Sequence, residues 1–121
     1  MSLTIQYRTI QSPTTGNIEI IRLAGRLVLG EGTSSLRDTL RNPAERKSDI
    51  LVDLSGVSYV DSAGLGELVA GYAFMTSRGL RMKLLRPTAR VDSLPHITKL
   101  CSTFEVFEDE ATALRSFSKG E

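Results

Sequence analysis

Ser62 and Asp61 are the residues of this chain whose types and positions best suit chemistry. They follow an apolar stretch, Val57 to Val60, and precede Leu65, Leu68, Val69 and Tyr72, which recur at i, i+3, i+4 and i+7. That spacing lays one face of a helix. Ser62 therefore stands at a helix entrance, where a serine oxygen can cap free backbone N–H groups. The positive end of the helix dipole also lies there, so the same spot can hold an anion. Asp61 can bond turn backbone and help cap the helix, or it can contact a partner. Asp53 is a carboxylate inside the apolar run Ile50 to Leu54. A buried carboxylate needs partners, which a position near the strand's C-terminal end would supply, where ligand and partner sites of α/β sheets gather.

Gly64, Gly66 and Gly71 fall within the same helix, each costing up to about 1 kcal/mol against alanine. Close packing on the sheet explains one or two of them. Access of a partner to Ser62 is the other reading, above all for Gly64 and Gly66. Gly30-Glu31-Gly32-Thr33 lacks the third glycine of a dinucleotide fingerprint and the Gly-Lys-Ser/Thr of a P-loop. It reads as a loop beside the Ser62 surface, with Glu31 as a contact residue.

Catalysis is poorly served. His96 is the only histidine, and Val60 stands where a nucleophile elbow needs glycine. His96 with Cys101 supplies two metal ligands, short of a zinc set. The expectation is no catalytic residue, no metal and no cofactor.

The elements that position Ser62 are legible in order. Residues 4–10 alternate as an edge strand, and residues 18–23 form a second strand paired antiparallel with it through the turn at 12–17. Residues 24–29 continue that strand with a bend at Gly25. A helix over 33–42 turns Leu36 and Leu40 inward and ends at Pro43. Ile50 to Leu54 reads as a central parallel strand buried on both faces, followed by a turn at Ser55-Gly56. The helix over 62–78 closes at Gly79 as C′ glycine. Residues 80–85 and 104–107 are further strands. Between them Pro95 breaks or shortens a helix over 90–100. Asp109 caps a last helix with Ala111, Leu114 and Phe117 on its buried side.

The 121 residues suit one domain, 1–121, able to bury its own core. Fifteen Lys+Arg against fourteen Asp+Glu give a net charge of +1, which speaks against direct nucleic-acid binding. The single cysteine fits a reducing compartment. No apolar run approaches the ~20 residues of a membrane span and no signal-peptide core is visible. The expectation is a cytoplasmic protein without membrane insertion.

Asp53-Leu54-Ser55-Gly56-Val57 followed by Tyr59-Val60-Asp61-Ser62-Ala63-Gly64-Leu65-Gly66 resembles the core motif of STAS domains. That family includes the anti-sigma factor antagonists and the cytoplasmic domains of sulfate transporters. The resemblance implies an α/β fold: a small mixed sheet, made of an N-terminal hairpin plus parallel strands, with about four helices packed on one side. It implies a non-enzymatic regulator that binds an anti-sigma factor with serine kinase activity, which phosphorylates Ser62 and so dissociates the complex, while a phosphatase resets it. ATP and Mg²⁺ would belong to the kinase. The partner-binding residues it implies are Asp61, Ser62, Ala63, Gly64, Leu65 and Gly66, with Glu31 and Asp53. Ala63 departs from members that carry a second hydroxyl there. Val28 stands after Gly25-Arg26-Leu27 where many antagonists carry an acidic residue. A scaffold in a stress-signalling or transport-associated assembly, and a module binding a small anion or nucleotide, are the alternative readings.

Overall fold

Ile50, Leu51, Val52 and Leu54 are completely buried, so their strand has an apolar layer on each side. In the computed structural model, which describes residues 3–12, 16–28, 33–86 and 104–118, this strand is the third of five in one sheet. The strands are β1 (Leu3–Ser12), β2 (Gly16–Leu27), β3 (Asp49–Val60), β4 (Met82–Leu85) and β5 (Val106–Phe107). They lie in the order β1-β2-β3-β4-β5. β1 and β2 form an antiparallel hairpin in unbroken register, and the remaining pairs are parallel.

The helices are α1 (Thr33–Arg41), a 3-10 segment (Asn42–Arg46), α2 (Ser62–Ser77) and α3 (Glu110–Ser118). Pro43 stands in the first turn of the 3-10 segment, where its missing N–H costs nothing, so the α-helical pattern stops at Arg41. Gly79 adopts φ +74° beyond the end of α2, the left-handed conformation that glycine takes without strain.

Strand residues alternate between two cores. Ile21, Leu23, Ile50, Val52, Leu54, Met82 and Leu84 face Leu36 and Leu40 of α1 and Leu68 and Met75 of α2. Ile18, Ile20, Leu51 and Leu85 face Ala113 and Phe117 of α3. The expectation of about four helices on one side is therefore corrected. Among the described residues three α-helices are present, and α3 covers the opposite face. A strand apolar at every position cannot leave one face wet. The helix expected over 90–100, with Pro95, lies outside the described residues.

Two local expectations also change. Ser55-Gly56 is not a turn: β3 runs on to Val60, and the pairing with β2 shifts register between Arg22 and Ala24. Such a bulge takes up extra residue length without ending a strand. In α3, Ala111 is exposed, while Ala113 and Phe117 are buried. Asp109 caps α3 as expected, its carboxylate accepting from the Thr112 N–H at 2.9 Å.

Candidate partner-docking site

β2 and β3 end together, Leu27 beside Val60. The Asp61 N–H donates to the Leu27 carbonyl at 3.0 Å. Asp61 has extended backbone, φ −94° and ψ −179°, and its carboxylate accepts from the Gly64 N–H at 2.8 Å. Asp61 is therefore the N-cap of α2, and Ser62 is its first helical residue. This corrects the expectation that Ser62 caps the helix. Aspartate caps as well as serine does, and it occupies the last non-helical position.

Ser62 is exposed, and its hydroxyl forms no hydrogen bond among the described residues. The cap leaves the Ser62 and Ala63 N–H groups at the helix end without intrahelical partners. An oxyanion on the Ser62 hydroxyl would meet those donors and the positive dipole end.

The glycines separate by cause. A Cβ on Gly64 would run into the Leu27 carbonyl oxygen, so glycine lets α2 approach β2. On Gly71 it would lie 2.8 Å from a Leu40 methyl group, a packing contact with α1. Around Gly66, among the described residues and apart from its chain neighbours and the helix's own backbone, no atom lies within 4 Å of that position. Packing accounts for Gly64 and Gly71 and leaves Gly66, exposed one turn beyond Ser62, without an internal reason.

α2 is uncharged apart from Glu67, and Arg37 of α1 holds that carboxylate with bonds of 3.2 and 2.7 Å. Bonding from Arg37 lowers the Glu67 pKa from its ordinary 4.5. The outer face of α2, at Ser62, Gly66, Val69 and Ala73, is thus a neutral strip of small side chains. Val69, 41% exposed, lies on it and not on the buried face that its spacing suggested. Near the end of β3, Tyr59 is 42% exposed under the Arg26 guanidinium, 5.2 Å from the ring centre. Sequence reading missed Tyr59 as a surface group. Its signal was weak, one tyrosine in an apolar run.

Among the expected contact residues, Ala63 and Leu65 are half-buried and Gly64 is buried. Leu65 packs against the core. Asp53 does not join this surface. It is buried on the sheet face opposite α2, where its carboxylate accepts from the Ser55 N–H at 2.9 Å and lies 3.3 Å from Arg86 Nη2. Alternation in β3 sends it there, because Val52 and Leu54 take the α2 side. Glu31, His96 and Cys101 lie outside the described residues. Among the described residues no group of three or more His, Cys, Asp or Glu could hold a metal, and no helix is long and apolar enough to cross a membrane.

The family model of the STAS domain matches residues 9–113. The chain belongs to this family. Its fold is similar to that of an anti-sigma factor antagonist from Mycobacterium paratuberculosis, with TM-score 0.70 and 19% identity over 94% of each chain. SpoIIAA of Bacillus, a cell fate determinant solved in its phosphorylated form, gives TM-score 0.65 at 17% identity, over 92% of this chain and 98% of that one. The murine Slc26a9 anion transporter gives TM-score 0.71 at 15% identity, and the match spans 98% of this STAS domain but 22% of the transporter.

Proposed function

We propose that this STAS domain is a non-enzymatic, cytoplasmic antagonist of an anti-sigma factor, docking through the outer face of α2 and switched off by phosphorylation of Ser62. The observation that carries the reading is the unengaged Ser62 hydroxyl, freed from capping by Asp61, at the head of a neutral helix face. The fold shared with anti-sigma factor antagonists, one of them solved in a phosphorylated form, supports it. A partner kinase transfers the γ-phosphoryl group of ATP to the Ser62 oxygen, the hydroxyl proton leaves to a base of the kinase, and ADP departs. The new dianion sits on free helix N–H groups, so the fold is kept. It also stands where the partner's surface had docked on a neutral strip, and desolvating that charge drives dissociation. A phosphatase restores the hydroxyl.

The test is a kinase reaction with the cognate anti-sigma factor, followed by mass spectrometry of the product. Phosphate on Ser62, absent from Ser62→Ala, supports the switch. A stable complex with no phosphate at Ser62 sinks it and favours the scaffold reading. The likeness to the Slc26a9 transporter gives that second reading a partner class, transport machinery.

A further inference from the structure

The sheet face covered by α3 is not covered over its whole length. Gln6 pairs with Arg22, Arg22 with Asp53, and Asp53 with Leu85, so one row of side chains crosses four strands on that face. α3 lies over Ile18, Ile20, Leu51 and Leu85. Beyond its first residue a cavity of about 440 Å³ opens, lined chiefly by Gln6, Arg8, Arg22, Asp53, Arg86 and Glu110.

The charges in this cavity are unevenly matched. Arg8 is committed, its Nη2 reaching the Glu110 carboxylate at 2.9 and 3.0 Å. Arg86 reaches Asp53 only at 3.3 Å, longer than a strong charge-assisted bond of about 2.8 Å. The Arg86 Nε–H is buried and has no acceptor among the described residues. Arg86 also holds φ +49°, a left-handed conformation that costs a non-glycine residue energy. Arg22 is exposed and forms no ion pair among the described residues. Asp53 is a nearly buried acceptor that receives one backbone N–H and one long arginine contact. A carboxylate offers about four lone-pair sites. Three guanidinium groups against two carboxylates leave the cavity with one excess positive charge.

We propose that this cavity binds a small anion, a phosphate ester or carboxylate, that also carries a hydroxyl group. Arg22 and the exposed part of the half-exposed Arg86 guanidinium take the anionic oxygens, and the ligand hydroxyl donates to Asp53. Structural ion pairing alone does not call for an exposed arginine without a carboxylate partner among the described residues beside a second arginine that reaches its carboxylate only at 3.3 Å. The cavity lies on the sheet face opposite α2, so the site is separate from Ser62 and stands whether or not Ser62 is phosphorylated.

The experiment is an NMR titration of the full chain that follows the arginine Nε–H signals and the backbone. Glycerol 3-phosphate and lactate are the probes, with sodium chloride at matched ionic strength as reference. The expected result is a saturable shift of Arg22, Arg86 and Asp53 with at least one probe, and none at Ser62. Saturation by one probe alone names the anion class. Arg22→Gln, at an exposed position that leaves the fold alone, weakens that binding about tenfold, as loss of a charge-assisted bond does. Arg78→Gln, an exposed change elsewhere, leaves it unchanged. Shifts that fail to saturate, that chloride reproduces, or that survive Arg22→Gln would overturn the proposal.

Discussion

Asp61 and Ser62 divide the work at the head of α2, and the division can be measured. Asp61→Ala removes the bond to the Gly64 N–H and should cost about 1 kcal/mol in urea denaturation. Ser62→Ala removes no cap and should stay within about 0.5 kcal/mol of the parent, as exposed changes do. Ser62→Asp should also fold, since an acidic group in the first turn suits the dipole. The two Ser62 variants should part in calorimetric titration against the partner. Alanine keeps the neutral strip, whereas aspartate brings a charge whose burial costs about 3 kcal/mol, or about a hundredfold in affinity. Equal affinities would mean that docking does not pass over Ser62. The same helix offers a glycine contrast. Gly64→Ala drives a Cβ into the Leu27 carbonyl and should destabilise strongly. Gly66→Ala meets nothing and should stabilise by up to about 1 kcal/mol. If it also weakens partner binding, Gly66 is kept for the docked partner. The sequence showed both hydroxyl and carboxylate at the helix start. It could not show which came last before helical φ/ψ set in, because both residues are good caps.

Between elements, the pair Arg37–Glu67 joins α1 to α2 and leaves α2 without a free charge. The Glu67 pKa is lowered in the folded chain, first by the Arg37 hydrogen bond. A depressed carboxyl contributes stability above its unfolded value and loses it as pH falls through the folded one. Glu67→Gln should therefore lower the melting temperature at neutral pH. The gap to the parent should close as pH falls below 4.5, the ordinary value for this group. A gap that persists in acid would trace the effect to packing. Most element boundaries were legible from punctuation: Pro43 after α1, Gly79 after α2, Asp109 before α3. The bulge at Ser55-Gly56 was not, because a Ser-Gly pair reads as a turn unless the partner strand is known to shift with it. Val69 was misplaced because α2 is apolar nearly all round, and spacing alone then fails to tell the inner face from the outer.

At the scale of the whole molecule, the sheet has two faces, each packed against its own core. The apolar run Ile50 to Leu54 announced that both faces are buried. Helices on one side alone would leave half of that run uncovered, and alternation along it carries Asp53 to the face away from Ser62. α3 closes the second face through Phe117 and through Lys83, a buried lysine whose Nζ lies 3.0 Å from Ser116 Oγ and 4.7 Å from the Phe117 ring centre. Phe117→Ala empties a site that is 1% exposed and should cost about 3–5 kcal/mol in denaturant unfolding. Lys83→Met keeps the aliphatic stem and removes a charge that is costly to bury, so it should be close to neutral. If the faces are independent, both variants should bind the proposed partner with unchanged affinity under conditions where they stay folded. α2 rests on the core that β2, β3 and α1 build on the other face of the sheet, and Phe117 does not join that core. Calorimetric titration of Phe117→Ala below its melting range is the check. A loss of affinity without a loss of folded protein would show that α3 is coupled through the sheet to the head of α2.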